Sequence, residues 1–95
     1  MVADNTTMPP FGQRPLDLGA DLVVAADTKA PSGQSDVLLG HVAGRDPALM
    51  QAVRDWRRLS GAIPGPFECW LALKGLETLE IRFDRMCRSA ALIAP

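Results

Sequence analysis

The chain has 95 residues, with 10 basic and 11 acidic side chains and a formal net charge of −1. This near-neutral balance gives no electrostatic footprint for nucleic acid or an anionic membrane, and 47% hydrophobic residues is ordinary for a globular protein. No apolar run is long enough to span a bilayer, and the first ten residues lack the basic and apolar regions of a signal peptide. The composition favours a cytoplasmic protein without a nucleic-acid or membrane partner.

The first half of the chain alternates short apolar runs with turns. Residues 2–4 are typical of the end of a strand, and a loop with two prolines and a short helix over 13–18 follow. The runs 21–26 and 37–42 are short, partly β-branched and flanked by Asp, Gly, Pro and Ser. We therefore predict two buried strands there.

The lengths of the connections predict how these strands pair. The link from residue 4 to residue 21 is long enough for a crossover, which favours a parallel pair. The link over 28–36 is too short for a crossover helix and contains Pro31 and Gly33, which favours an antiparallel pair. We therefore expect a mixed sheet in an α/β protein.

After Gly44 the apolar spacing becomes helical. Asp46 can cap a helix that has Pro47 at its first position and ends at Gly61. Arginines at 54–58 suggest either a phosphate site or a solvated helix face, and the interleaved acids favour the second. One apolar stripe runs along this helix, formed by Leu49, Ala52, Val53, Trp56 and Leu59.

A second helical region is predicted over 66–93, with a bend near Gly75. Thr78 can cap its continuation. Both Trp56 and Trp70 are expected in the core. The continuation carries an apolar stripe that needs a partner surface, formed by Leu79, Phe83, Met86, Ala90 and Ile93.

The sulfur and imidazole side chains give no metal pattern. Cys69 and Cys87 are too few for a disulfide framework and have no CxxC spacing, so we expect free thiols that are buried or half-buried. His41 is the single histidine and cannot complete a metal site. It is expected to be a packed or edge side chain rather than a base.

Lys29 lies in the loop between the two predicted strands. A lysine beside a dry sheet edge loses its proton more easily than a solvated one, as an amine nucleophile requires. Thr28 precedes it, and Ser32, Gly33 and Ser35 follow, with hydroxyls and close backbone that can face a phosphate. Taken alone, however, a lysine such as Lys29 is usually a solvated loop residue, and an aspartate such as Asp4 is usually a turn or cap residue.

The segment around Lys29 resembles the Cys/Met-metabolism family of pyridoxal-phosphate enzymes. That family, which contains cystathionine gamma-synthase, cystathionine gamma-lyase and methionine gamma-lyase, has the pattern Ser-x-Thr-Lys-x-x-x-Gly-His-Ser-Asp-x-x-x-Gly. The chain departs from it at Ala26 and Gln34, and Lys74 replaces the arginine of a later Arg-Gly-Leu-x-Thr-Leu signature. The resemblance extends along nearly the whole chain. The matching positions are Thr28, Lys29, Gly33, Ser35, Asp36 and Gly40.

The resemblance implies pyridoxal 5'-phosphate as cofactor and an aspartate-aminotransferase-like fold. Lys29 would be the catalytic amine that bonds to the cofactor, Asp4 would face the pyridine nitrogen, and Thr28 would contact the phosphate. Residues 1–60 would form the last strands and following helix of the cofactor-binding large domain. Residues 61–95 would form a helical connection toward a C-terminal domain.

The resemblance also implies an activity, namely elimination or replacement at the γ-carbon of a sulfur amino acid by a homotetrameric enzyme. The choice among synthase, γ-lyase and methionine lyase stays open. Family members are several times longer, and their ring-stacking tyrosine, Gly-rich phosphate loop and substrate-binding arginine match no residue here. We therefore expect a fragment that is inactive alone. The alternative is a non-catalytic helical interaction module that uses the 79–93 stripe.

Overall fold

The structure, a computed structural model, describes residues 1–94. The three strands come first and the three α-helices second, as the change in apolar spacing predicts. The elements are β1 (Val2–Asp4), a 3-10 helix (Pro15–Leu18), β2 (Leu22–Ala26), β3 (Gly40–Gly44), α1 (Pro47–Ser60), α2 (Pro66–Leu76) and α3 (Leu79–Ile93). The predicted division after residue 60 falls between α1 and α2, and Pro95, at the end of the second predicted part, lies outside the described residues.

The three strands form one sheet in the order β1-β2-β3. β1 pairs parallel with β2, with Asp4 opposite Val24, and β2 pairs antiparallel with β3, with Val24 opposite Val42. Both predicted pairings are confirmed. β3 begins at Gly40 rather than at residue 37, because Leu39 bonds to the backbone and hydroxyl of Thr28 before the regular ladder starts.

Helix α1 begins and ends where its sequence predicts. The Asp46 carboxylate accepts the Ala48 N–H at 2.8 Å, Pro47 takes the first turn, and Gly61 ends the helix at φ 73°. On its outer face Arg58 pairs with Asp55 at 3.1 Å. The arginine cluster therefore forms a solvated helix face, as expected.

The apolar core is small, and the prediction that both tryptophans belong to it is wrong. Trp56 is 65% exposed and Trp70 is 51% exposed. α1 contacts the sheet near β3, where Met50 approaches Gly44, and Val53 and Trp56 of its stripe line an open cavity together with β3 residues. Trp70 instead stacks on Phe67 and lies under the Lys74 ammonium. The buried apolar side chains are Ala20, Val23, Val37, Ala72 and Leu79.

The predicted bend near Gly75 is confirmed by the break between α2 and α3. Thr78 stands at the start of α3, but its hydroxyl does not cap the helix, so that prediction is wrong. The hydroxyl instead accepts a hydrogen bond from Arg82 Nε at 3.0 Å and contacts the Gly75 carbonyl at 3.4 Å. The donor to the Thr78 hydroxyl is therefore an arginine side chain one turn later, and not a backbone N–H at the helix start.

Both cysteines are free but exposed, which corrects the expectation that they are buried. Cys69 lies on α2 and Cys87 on α3. The helix faces that carry them have no covering element within the part of the chain described. None of the helices within residues 1–94 is long and apolar enough to cross a bilayer.

Candidate functional site

The candidate site lies at the carboxyl edge of the sheet. Asp4 ends β1, and Lys29 comes three residues after β2, where its N–H donates to the Ala26 carbonyl at 3.3 Å. Because β1 and β2 are adjacent and parallel, both residues belong to the same sheet edge, as their sequence positions predict. Open α/β sheets bind ligands at that edge.

Asp4 presents an ionised carboxylate. Its side chain accepts the Thr6 N–H at 2.9 Å. The Thr6 hydroxyl and then its backbone N–H hold the pKa of Asp4 below its ordinary value. The same hydroxyl accepts the Ala26 N–H at 3.0 Å, which ties the segment after β1 to the end of β2.

The lysine loop, residues 27–35, is closed at its base and hydrogen-bonded inside. Leu39 closes the base, since its carbonyl accepts the Asp27 N–H at 2.8 Å. Inside the loop the Gly33 N–H donates to the Lys29 carbonyl at 2.9 Å, and the Ser32 hydroxyl donates to the Thr28 carbonyl at 3.2 Å. Ser32 is only 1% exposed. The loop is therefore closed by hydrogen bonds of its own backbone and side chains.

Thr28, the expected phosphate ligand, uses its hydroxyl within the protein. Its Oγ1 accepts the Leu39 N–H at 3.2 Å and lies 3.3 Å from the Leu39 carbonyl as donor. The hydroxyl proton is thus engaged by the loop base. Ala26, at the other position where the family has a phosphate hydroxyl, has none.

Lys29 lines an open groove of about 670 Å³ between the lysine loop and α3. Its side chain is exposed, so the described residues do not give it the dry surroundings expected from the sequence. Asp4 does not line this groove, although it shares the sheet edge. The residues on the two walls include Thr28, Lys29 and Ser35 from the loop and Ile81, Arg82 and Arg85 from α3.

Sequence reasoning missed Arg82, which joins α3 to the lysine loop. Its guanidinium donates to the carbonyls of Ala30 at 2.7 Å, Pro31 at 3.0 Å and Gly75 at 2.7 Å. Two of these partners lie 51 and 52 residues away, so no local pattern could identify them.

Asp27 was missed as well. Its carboxylate lies 2.7 Å from His41 Nδ1, and the Asp27 side chain is only 12% exposed against 43% for His41. His41 stands on β3, which is an edge strand of the described sheet, in keeping with the expected edge side chain. The sequence did carry a signal for this pair: an acid ends one apolar run and a histidine lies in the next.

Comparison with known proteins gives this geometry a context. The family model described as Cys/Met metabolism PLP-dependent enzyme matches residues 1–95. A putative cystathionine gamma-lyase of Streptomyces coelicolor is 54% identical over 94 residues, which are 99% of this chain and 24% of the relative. A probable cystathionine gamma-synthase of Herpetosiphon aurantiacus is 42% identical over 93 residues, or 98% of this chain and 29% of the relative.

A solved structure agrees over nearly the whole chain. The structure of metB from Corynebacterium glutamicum superposes with a TM-score of 0.95 at 40% identity, covering 98% of this chain and 24% of the other. The chain thus spans about a quarter of the length of the relatives it matches. The predicted α/β fold of the PLP-dependent transferase type is confirmed. The chain belongs to the family of Cys/Met metabolism PLP-dependent enzymes.

Proposed function

We propose that this chain is part of a PLP-dependent trans-sulfuration enzyme that eliminates or replaces a group at the γ-carbon of a sulfur amino acid. One observation carries the proposal: Asp4 ends β1 and Lys29 follows β2, so both residues belong to the carboxyl edge of two adjacent parallel strands. The relatives named cystathionine gamma-lyase and cystathionine gamma-synthase support the substrate class.

The donor set fits pyridoxal phosphate at one end of the cofactor. The exposed Lys29 amine suits the aldehyde, and the Asp4 carboxylate, whose pKa is held low by Thr6, suits a protonated pyridine nitrogen. At the phosphate end, the family resemblance implies Thr28 as the contact. Its hydroxyl is already hydrogen-bonded to the Leu39 backbone. Residues 1–94 would therefore hold the reactive end of the cofactor better than its phosphate.

The chain's own residues would divide the chemistry between two groups. When bound, the cofactor supplies an electron sink that stabilises negative charge on the substrate Cα. Asp4 would hold the proton on the ring nitrogen. Lys29, as a free amine, would take the Cα proton and return it to a neighbouring carbon, acting as a general base and then as a general acid.

We further propose that the chain alone does not turn over substrate. Tight binding needs several preorganised phosphate donors and a ring held on both faces. The chain has no tyrosine to stack on the ring, and Ala26 offers no hydroxyl. The free, exposed cysteines support a cytoplasmic location, where thiols stay reduced.

A chimera tests the activity. The matching quarter of the Streptomyces coelicolor relative is replaced by this chain, and release of α-keto acid from cystathionine and methionine is measured. We expect the chimera to release keto acid and its Lys29→Ala variant to release none. A chimera that folds but is inactive with both cystathionine and methionine would contradict the proposed reaction. The unmodified 95-residue chain is assayed in parallel, and keto acid that depends on Lys29 there would contradict the proposed inactivity.

A second candidate function, an interaction module, is favoured by the apolar face of α3. Leu79 at its start is 3% exposed, but Met86 is 46% and Ile93 is 83% exposed. Two results together would favour the interaction module over a part of an enzyme. The chain would bind a full-length relative through this face, and the chimera would be inactive. Met86→Lys should then abolish the binding.

A further inference from the structure

Arg82 is the long-range connection between α3 and the lysine loop. Three of its nitrogens donate four hydrogen bonds: two to the loop carbonyls of Ala30 and Pro31, one to Gly75 at the end of α2, and one to the Thr78 hydroxyl. Carbonyls in a part-buried loop cost free energy when they lack partners. Arg82 supplies partners that the loop's own backbone does not.

The Arg82 guanidinium packs against the backbone of the lysine loop. A Cβ added at Gly33 would overlap Arg82 Nη1, so the guanidinium lies directly against the Gly33 backbone. A Cβ added at Gly75 would lie 2.5 Å from the Pro31 and Ser32 carbonyl oxygens. The loop is thus held between the junction of α2 with α3 on one side and the Arg82 fork on the other.

An arginine is required for this arrangement. The planar guanidinium offers five N–H donors in a fixed fork, whereas a lysine ammonium is a compact group with three donors. A lysine at this position could donate hydrogen bonds to some of these carbonyls, and a neutral amide to fewer of them.

We propose that Arg82 is a positioning residue for Lys29: by holding the carbonyls of Ala30 and Pro31 it fixes the loop that presents the amine at the sheet edge. This inference rests on the proposed function of Lys29 as the cofactor amine. Arg82 itself touches the loop backbone and acts on the reaction only through Lys29.

The test is a labelling ratio between the two lysines of the chain, Lys29 and Lys74. The full chain is mixed with pyridoxal phosphate and borohydride. The aldehyde condenses with an amine with loss of water, and hydride reduces the product to a stable secondary amine. Peptide mass spectrometry then gives the Lys29 to Lys74 ratio for the wild type, Arg82→Gln, Arg82→Lys and the control Arg88→Gln. Arg88 pairs with Asp84 on the same helix and lies outside the groove.

In the wild type and in Arg88→Gln we expect labelling to favour Lys29. In Arg82→Gln the ratio should fall by about tenfold, because a loosened loop no longer holds the amine in one position at the sheet edge. Arg82→Lys should lie between. A folded Arg82→Gln with the wild-type ratio would overturn the inference while leaving the proposed role of Lys29 intact. A wild type without preference for Lys29 would instead count against the proposed function.

Hydrogen exchange in the wild type provides a measurement that does not depend on the variants folding. Ser32 and Gly33 donate their N–H groups within the loop, and the Arg82 N–H donates to the carbonyl of Thr78, which precedes α3. If Arg82 fixes the loop, the three amides should exchange through the same opening with similar protection. Free exchange at Ser32 and Gly33 beside a protected Arg82 amide would overturn the inference whatever the labelling shows.

Discussion

Asp4 shows how a single neighbour sets the state of a functional group. Its side chain is exposed, so burial does little, and hydrogen bonds from Thr6 lower its pKa from the ordinary value of 3.8. A carboxyl whose pKa is lower in the folded state stabilises that state fully above the unfolded value. This stabilisation is lost as the pH falls through the lower, folded value.

The first prediction concerns this titration. The Thr6 amide, which donates to the carboxylate, should shift in an NMR titration with a midpoint below 3.8, and β1 should lose protection over the same range. Asp4→Asn keeps an acceptor oxygen but has no proton to gain, so its Thr6 amide should not titrate there. A wild-type midpoint at or above 3.8 would contradict the bonding of Asp4 to Thr6.

At the scale of elements, the junction between α2 and α3 is placed by backbone contact with the lysine loop. Gly75 is buried, and the backbone of Pro31 and Ser32 occupies the space where a side chain would start. Glycine inside a helix costs about 1 kcal/mol relative to alanine. The close approach of two backbones requires it nonetheless.

The second prediction follows from this contact. Gly75→Ala should destabilise the chain by about 1–3 kcal/mol, because overpacking against rigid backbone outweighs the gain in helix propensity. Urea unfolding followed by far-UV circular dichroism measures the change. Cys69→Ala, at an exposed position of the same helix, is the control and should change stability little. A Gly75→Ala chain as stable as the wild type would show that the loop can withdraw from the helix.

At the scale of the whole molecule, much apolar surface stays in contact with water. The radius of gyration is 14.7 Å, whereas a compact chain of this length has about 12 Å. Leu59, Leu92 and Ile93 are each more than 80% exposed, and the fully buried apolar set is small. A chain of this size buries only about 60–65% of its unfolded surface even when compact, which leaves a marginal core.

The third prediction concerns the two tryptophans, which report on this exposure. Trp56 and Trp70 are both more than half exposed. In the isolated chain both should emit as solvated indoles and be quenched by iodide, and urea should change their emission little while circular dichroism shows unfolding. Trp56→Phe and Trp70→Phe separate the two signals. A blue-shifted, protected indole would mean that the face carrying it is covered, and sedimentation would then reveal association.

Local chemistry let the sequence alone determine the order of elements, both strand pairings, the Asp46 cap and the end of α1 at Gly61. Each depends on residues close together in the chain: connection lengths limit parallel and antiparallel pairing, and cap residues act within one turn. The same reasoning brought Asp4 and Lys29 to one sheet edge, because their places at the ends of parallel strands follow from the topology.

Only the tertiary structure decided what surrounds Lys29 and which apolar residues are covered. Helical spacing shows that Trp56 lies on a stripe, but burial requires a facing surface, and the three described strands supply one only near β3. The Thr78 hydroxyl accepts a hydrogen bond from Arg82 instead of capping α3. Arg82 also donates to carbonyls more than 50 residues away. The contacts of Arg82 with Ala30 and Pro31 join residues that are distant in sequence, so they are specified by the packed arrangement of elements and leave no periodic pattern in the chain.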